Sequence, residues 1–531
     1  MFLITSASFV EIQLRAEVGD VPPSFLPIGN RRLFEYQLEL AERTSRQIVL
    51  SLPLGFVVPP QDAALLEAAG VRVLYPPPLS LSQSIGWCIR TMEHTGVVEI
   101  LHGDTLFDEL PPAESPPDAV SVVTAADHYD WAIVKRLDNG RLSISQQFGK
   151  GESSLEVLSG WFRFSSAERF MEAIASSSSF IASIERYSME CQVACVTPKN
   201  WRDVGHTSTY LRVRASHTKE RSFNHLKSDT VSISKTGPRD KILCEAAWYL
   251  QLPTPLRIYT PAFLALKDDG ETAEYELEYL YLMSLSDLYV FGALPGPIWR
   301  GIFIACEDAL SSFRAYKPKD PLAHNPEELL LPKTITRLEM FAKQTGVDLR
   351  ADWRINGQRT PSLLKVAEFA AAVVEPLPPT QVCWTHGDSC FRNVFFDFRS
   401  ERLKFIDPRG ADATGKPYPW GDPRYDLAKL AHSVYGAYDL IVCDRFTLID
   451  ESEHSLSLKL DYTPEMLAAK MAFLKTTFGA WQGDDITIQG IVVLLFLSMI
   501  SLHADMPNRQ RAFMANALGL YHFMKEGIDI R

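Results

Sequence analysis

The sequence predicts two α/β-containing units in one chain: a helix-covered sheet over residues 1–215, then an α+β unit over residues 216–531. Three observations carry this. At 531 residues the chain is too long for a single core. Its first ~130 residues alternate strand-like and helix-like segments, the pattern of a parallel sheet covered by helices. Near Ala215 that pattern stops. A strictly alternating strand and a helix follow, and then long stretches of helical periodicity.

In chain order, Phe2–Thr5 reads as an apolar strand, Leu33–Arg43 as a helix and Gln47–Leu52 as a strand. Pro60–Ala69 reads as a helix, Val71–Tyr75 as a strand, Leu81–Glu93 as a helix and Val97–Leu101 as a strand. Short β-like runs follow at Ala119–Thr124, Trp131–Leu137 and Leu155–Phe164, with residues 166–185 helical. In the second half, Val231–Lys235 alternates as a half-buried strand does, with Lys235 on the face of Val231 and Ile233. Asp240–Leu250 is helical and contains Glu245; Glu276–Leu280 is a strand. Residues 296–531 are mostly helical, interrupted by proline-marked loops at 376–379 and 417–423.

A net charge of −12 argues against a general nucleic-acid or anionic-membrane binder. The eight cysteines show no CxxC pair and no zinc spacing, and several lie in apolar runs as buried thiols of a reduced compartment. The N-terminus lacks a basic leader segment, and the apolar run Gly490–Leu502 falls short of the roughly 20 residues that cross a bilayer. The expectation is a cytoplasmic protein without membrane insertion, with that run as a buried helix.

The chemistry concentrates at Thr385-His386-Gly387-Asp388-Ser389-Cys390-Phe391-Arg392-Asn393, followed by Phe405-Ile406-Asp407. Phosphoryl transfer needs a carboxylate near the acceptor hydroxyl and oxygen ligands that hold Mg²⁺ on nucleotide phosphates. Asp388 fits the first role; Asn393 and Asp407 fit the second. Lys235, at the end of an apolar face, suits a site where the amine reaches phosphate. Asp422 and Asp426 read as a helix cap and a loop anchor. In the first half, Asp104 ends a sheet strand, the edge where α/β sheets bind ligands, and is placed to hold a metal. Asp203, before a glycine turn, fits a second metal ligand. His102 and His206 beside them read as structural.

The second half resembles the aminoglycoside phosphotransferase and choline/ethanolamine kinase superfamily, with its protein-kinase-like fold. The motifs are His386-Gly387-Asp388 with Asn393, Ile406-Asp407, Gly421-Asp422-Pro423 and Asp426-Leu427-Ala428. The resemblance implies a small lobe over 216–281 and a helical lobe over 282–531. It implies ATP held by Lys235 paired with Glu245, adenine bound by the backbone of 278–280 (Glu278 to Leu280), and a nucleotide loop around Asn224, which here lacks glycine. Pro408-Arg409-Gly410 follows the second Asp, and Arg409 would bind an anionic substrate.

The first half resembles sugar-phosphate nucleotidyltransferases, which have a Rossmann-like mixed sheet. Leu26-Pro27-Ile28-Gly29-Asn30 with Leu33, Glu35-Tyr36-Gln37, then Gly103-Asp104 and Trp201-Arg202-Asp203-Val204-Gly205 carry it. That resemblance implies a second NTP (CTP, UTP, GTP or dTTP). The family's glycine-rich loop is replaced by Thr5-Ser6-Ala7-Ser8-Phe9, and its Pro-Lys reads Pro22-Pro23. Together the resemblances imply a small-molecule kinase acting on a hydroxyl, fused to a nucleotidyltransferase-like domain, in surface-polysaccharide or headgroup precursor synthesis. Two alternatives stand beside it: an active kinase with a degenerate binding or scaffold domain, and a non-catalytic nucleotide-binding regulator.

Overall fold

The computed structural model describes the chain except residues 113, 126–128, 130, 138–140, 146–154, 217–224, 229–230, 321–329, 413–414 and 530–531. The chain divides into two compact units, Met1–His217 and Thr218–Arg531.

In the first unit the strands Phe2–Thr5, Ile48–Ser51, Arg72–Leu74 and Val98–His102 run parallel, with Phe2–Thr5 between Ile48–Ser51 and Val98–His102. The buried apolar runs of Phe2–Ile4, Ile48–Leu50 and Ile100–Leu101 are what a sheet covered on both faces demands, while Arg72–Leu74 buries only Leu74. The sheet turns mixed beyond Val98–His102, where Leu155–Phe164 pairs antiparallel and in turn carries Ala119–Ala125. Leu3, Val49, Ile100, Val120 and Phe162 meet in one core with Ile85 and Ile89 of the helix Leu81–Thr91. The stretch 166–185 is two helices, Ala167–Ala175 and Phe180–Ser188, because Ser179 caps a second start by accepting from the Ala182 amide. Helices at Ile12–Val18 and Thr207–Ser216 and a strand at Leu142–Ser145 join the expected elements.

The second unit opens with a four-stranded antiparallel sheet in the order His225–Ser228, Ser232–Pro238, Thr272–Glu278, Phe263–Asp268. The helix Arg239–Gln251 packs on it, burying Ile242, Glu245 and Trp248. The remainder is built around the helix Ile486–Met499, which is apolar on every side and packs against Leu330–Thr345, Leu363–Ala372, Pro423–Val434 and Pro507–Asp529. The stretch Ile486–His503 is long and apolar enough to cross a membrane by composition, and 78% of it is buried inside the unit. A helix hydrophobic all round belongs in such a core.

The region is less helical than its periodicity suggests. Trp353–Ile355, Gln358–Thr360, Phe446–Ser452 and Ser455–Leu460 form a second four-stranded sheet. Asn356-Gly357 joins the first two, both residues at positive φ, the turn that two-residue hairpins require. All eight cysteines are free thiols, six of them buried.

Candidate functional site in the second unit

Lys235 lies in the strand Ser232–Pro238, directly opposite Tyr275 on Thr272–Glu278. Its Nζ donates to Glu245 Oε2 at 2.7 Å and to Asp407 Oδ1 at 3.1 Å. The Tyr275 hydroxyl donates to the same Glu245 oxygen at 2.9 Å, so the carboxylate is fixed from two sides. Burial disfavours the Lys235 ammonium, but Asp407 and Glu245 outweigh it and hold its proton more tightly than usual. Glu245 is pushed up from the usual carboxylate range by burial, against the pull of Lys235. Val231, expected on this face, falls just before the strand and is exposed.

Asp407 reaches Lys235 through a local device. The hairpin Val394–Asp397 with Arg402–Phe405 begins just after Asn393 and ends just before Ile406, and the Ile406 amide donates to the Asn393 carbonyl at 2.9 Å. Hairpin pairing therefore delivers Asn393 and Asp407 side by side from 14 positions apart in sequence. Asp407 itself sits at φ +57°, a left-handed conformation that costs an ordinary residue about 1–2 kcal/mol and that Asp tolerates. Gly410 follows at φ +61°; a Cβ there would lie 2.4 Å from the Cys244 carbonyl oxygen, so only glycine lets this loop touch the Glu245 helix.

The loop holding Asp388 is pinned by its own backbone. The amides of His386 and Gly387 donate to the two Asp426 oxygens at 2.8 and 2.7 Å, and the Ser389 hydroxyl donates to the Asp426 carbonyl at 2.8 Å. Burial pushes the Asp426 carboxyl up to about 6, while those amides work to lower it. Trp248 Nε1 donates to the Thr385 carbonyl at 2.9 Å. Burial pushes the His386 imidazole down to about 4, which keeps it neutral, and its Nδ1 accepts from the Asp388 amide at 3.2 Å. Asp422 caps the helix Pro423–Val434 and grips Arg424.

Asn393 Nδ2 donates to the Asp388 carbonyl at 2.9 Å and to its carboxylate at 3.1 Å. Lys429 Nζ lies 2.8 Å from the other carboxylate oxygen. Burial works against the charge on Lys429, yet the Asp388 carboxylate outweighs it and holds the ammonium above the usual lysine range. Side-chain contacts thus join Asp388 to Asn393, and Lys235 to Glu245 and Asp407, while the Ile406–Asn393 backbone hydrogen bond sets the two groups beside each other. Among the described residues no group of three His, Cys, Asp or Glu side chains could hold a metal ion. With its nitrogen spent on Asp388, Asn393 has its amide oxygen left for a ligand, and Asp407 adds a carboxylate. Two hard oxygen donors, completed by phosphate oxygens and water, suit a Mg²⁺ carried on a nucleotide.

Other expected residues fall in different places. Asn224 lies outside the described residues. Glu278 ends its strand, with its carboxylate accepting from the Ala262 amide at 3.1 Å. Leu280 lies past the strand, and its amide makes no hydrogen bond among the described residues. The Arg409 amide donates to the His386 carbonyl at 2.9 Å, and its side chain lies over Gly387. Lys429 and Tyr275 were not expected. Lys429 had a signal, standing three residues after Asp426 on one helix face. Tyr275 is placed only by cross-strand register.

In the first unit, Asp104 and Asp203 are brought together. Thr105 pairs with Asp203 across a short antiparallel ladder, and the Val204 amide donates to the Asp104 carbonyl at 2.9 Å. Burial, with Asp203 nearby, pushes the Asp104 carboxyl up, and His102 opposes this. Asp203 is already engaged: Oδ2 takes His206 Nδ1 and the Thr209 hydroxyl, each at 2.7 Å, and Oδ1 takes the Gly205 amide at 3.2 Å. Asp203 in turn raises the His206 imidazole's proton affinity. Within residues 5–9, Ser6 is buried and its hydroxyl accepts from the Ser24 amide at 3.0 Å, while Ser8 is exposed.

Residues 224–446, which lie within the second unit, match the family model described as the phosphotransferase enzyme family. No curated protein matches the sequence. Among solved structures, a UDP-glucose pyrophosphorylase complexed with UDP-glucose is similar at 12% identity, covering 41% of this chain and 98% of its own, with a TM-score of 0.34. HddC from Yersinia pseudotuberculosis is similar at 15% identity over 40% of this chain and 98% of its own, with a TM-score of 0.31. An aminoglycoside-3'-phosphotransferase of type VIII is similar at 16% identity over 57% of this chain and 91% of its own, with a TM-score of 0.30.

Proposed function

We propose that the second unit is a kinase that moves the γ-phosphoryl group of ATP to a hydroxyl of a small molecule. The observation that carries this reading is a pair of side-chain groups, Glu245–Lys235–Asp407 and Asn393–Asp388, that one hairpin delivers together. The acceptor oxygen bonds to the γ-phosphorus as the bridging bond to the β-phosphate breaks. The electron pair leaves with ADP, and the hydroxyl proton passes to the Asp388 carboxylate. Lys429 and Asn393 fix that carboxylate's orientation, while Lys235, set by Glu245 and Tyr275, holds the phosphates. Mg²⁺, held by Asn393 and Asp407, would supply charge neutralisation on the phosphates. Leu280 offers a backbone amide for adenine.

For the first unit the reading is a nucleotidyltransferase-like domain without efficient nucleotidyl transfer. The motivation is Ser6 closing on Ser24 where a glycine-rich loop is expected, together with an Asp203 whose oxygens the chain already occupies. The fusion suits a protein that handles phosphorylated precursors of surface polysaccharides or headgroups. ADP formation from ATP in the presence of a panel of hydroxyl compounds tests the kinase. Pyrophosphate formation from CTP, UTP, GTP or dTTP with sugar phosphates tests the first unit. Pyrophosphate release at rates comparable to ADP release would overturn the degenerate reading.

A further inference from the structure

Lys429 stands at the reacting end of the site with donors to spare. Its Nζ lies 2.8 Å from Asp388 Oδ1; the lysine side chain is 15% exposed and the carboxylate side chain 39%. An ammonium has three N–H donors. One is spent on Asp388, and among the described residues that ammonium makes no other hydrogen bond or ion pair. A nearly enclosed cation with unused donors is costly unless a ligand brings oxygen to it. Asp388, by contrast, is open enough for a ligand to approach. Lys235 differs from Lys429: two of its donors are already on Glu245 and Asp407.

The place of Lys429 is fixed by the element that fixes the loop. It follows Asp426 by three residues on the helix Pro423–Val434, so the two share a face. Asp426 grips the His386 and Gly387 amides at 2.8 and 2.7 Å, and Asp422 caps the start of the same helix. A hydroxyl that gives its proton to Asp388 lies about 2.6–3.2 Å from a carboxylate oxygen. Its oxygen meets phosphorus from about 3–3.5 Å. Lys429 is as near to that carboxylate as the hydroxyl must be, so the phosphoryl group passes within reach of the unused donors. The transition state of such a transfer is loose and spreads its charge over three equatorial oxygens, which a preorganised cation stabilises.

We propose that Lys429 is a catalytic residue: it keeps one N–H on Asp388 and donates another to an equatorial oxygen of the phosphoryl group in transit. The inference rests on the kinase reading and adds a second cation to it, on the acceptor side. As the acceptor oxygen bonds to phosphorus, the bridging bond to the β-phosphate breaks and its electron pair leaves with ADP. The hydroxyl proton passes to Asp388, and Lys429 keeps its own proton throughout. Burial works against that ammonium, but Asp388 outweighs it and holds the proton more tightly than in an ordinary lysine.

The test compares full-length wild type with Lys429→Met and with Lys429→Gln, which offers Asp388 an N–H without charge and serves if the Met variant does not fold. ADP formation is measured with glucose, glycerol, ribitol and choline as acceptors, and with water where none of them reacts. Both variants should lose about 30-fold or more in kcat, with the ATP and acceptor KM values within about threefold. Melting midpoints with Mg·ADP, with and without aluminium fluoride as a mimic of the phosphoryl group in transit, give a readout without turnover. Aluminium fluoride should raise the wild-type midpoint further, and both variants should lose that increment while keeping the shift from Mg·ADP alone. A lysine that only orients Asp388 acts through it, so the increment should survive in Asp388→Asn and vanish when Lys429→Met is added. A kcat within threefold of wild type, an increment that persists without Lys429, or an increment absent from wild type would each overturn the assignment. So would an ATP KM that rises as far as kcat falls. No ADP formation from any acceptor, together with no stabilisation of wild type by Mg·ATP, would instead sink the kinase reading itself.

Discussion

The chain holds two pairs of aspartates at loop ends, and they are treated differently. Asp388 and Asp407 are held by cations and an amide: Lys429 and Asn393 on one, Lys235 on the other. Asp203, in the first unit, is held by a histidine, a threonine hydroxyl and a backbone amide, and Asp104 sits beside it with its proton affinity raised. Cations around a carboxylate keep it charged at modest cost and leave the site polar for phosphates. Two adjacent acids without a lysine repel each other, and local hydrogen bonds spend the lone pairs a metal would use. The first arrangement keeps a cation against each carboxylate; the second is closer to a self-satisfied turn.

The largest expected break in that contrast is Asp388→Ala. ADP formation should fall by about 10³-fold or more, the scale of a lost general base in a positioned site. Thermal stabilisation by ATP with Mg²⁺ should persist. Turnover within tenfold of wild type would remove Asp388 from the reaction. Next comes Glu245→Ala. It leaves Lys235 buried with only Asp407 as an ionic partner and should cost about 3 kcal/mol, read as a shift in the urea midpoint of the second unit's unfolding. A shift below about 1 kcal/mol would mean that the pair is hydrated and weak.

How much of this is legible in the sequence depends on whether the signal is local. Asp388, Asn393 and Asp407 were legible because a loop and one hairpin bring them together within a short stretch of chain. Lys235 and Glu245 were legible because a strand followed by a helix fixes their relation. The first four parallel strands were legible as continuous apolar runs separated by helical periods. The second sheet of the C-terminal unit was not read, although Asn356-Gly357 is a strong hairpin signal. Its strands are only three residues long there, and their partners lie about a hundred positions away. Lys333 had no readable signal at all. Its helix begins more than fifty residues before Asp388 and packs on Ile486–Met499, so no local pattern marks it.

The middle-sized prediction concerns pH at that lysine. Burial first, then Arg409, Arg337 and Lys429, push the Lys333 ammonium down to about 7, and Asp388 opposes this. A lysine shifted down is charged below that point and neutral above it. The folded state therefore binds fewer protons than the unfolded chain between about 7 and the ordinary lysine value near 10.4, and this contribution to stability grows as pH rises. Lys333→Gln should flatten that profile. A slope that survives in the variant would assign the titration to another group.

The smallest effect belongs to the first unit and sharpens the comparison from the other side. Asp104→Asn removes one of two adjacent charges and keeps the shape of the side chain. Because burial and Asp203 already disfavour the Asp104 charge, its loss should leave the melting midpoint unchanged or raise it by a few degrees. Kinase turnover should remain within twofold. The His206–Asp203 pair gives the matching control: His206→Gln removes the partner that Asp203 accepts from at 2.7 Å, and should lower the midpoint. If Asp104→Asn instead destabilises as much as His206→Gln does, the Asp104 charge is part of the scaffold, and the contrast between a poised pair and a self-satisfied pair fails in the first unit.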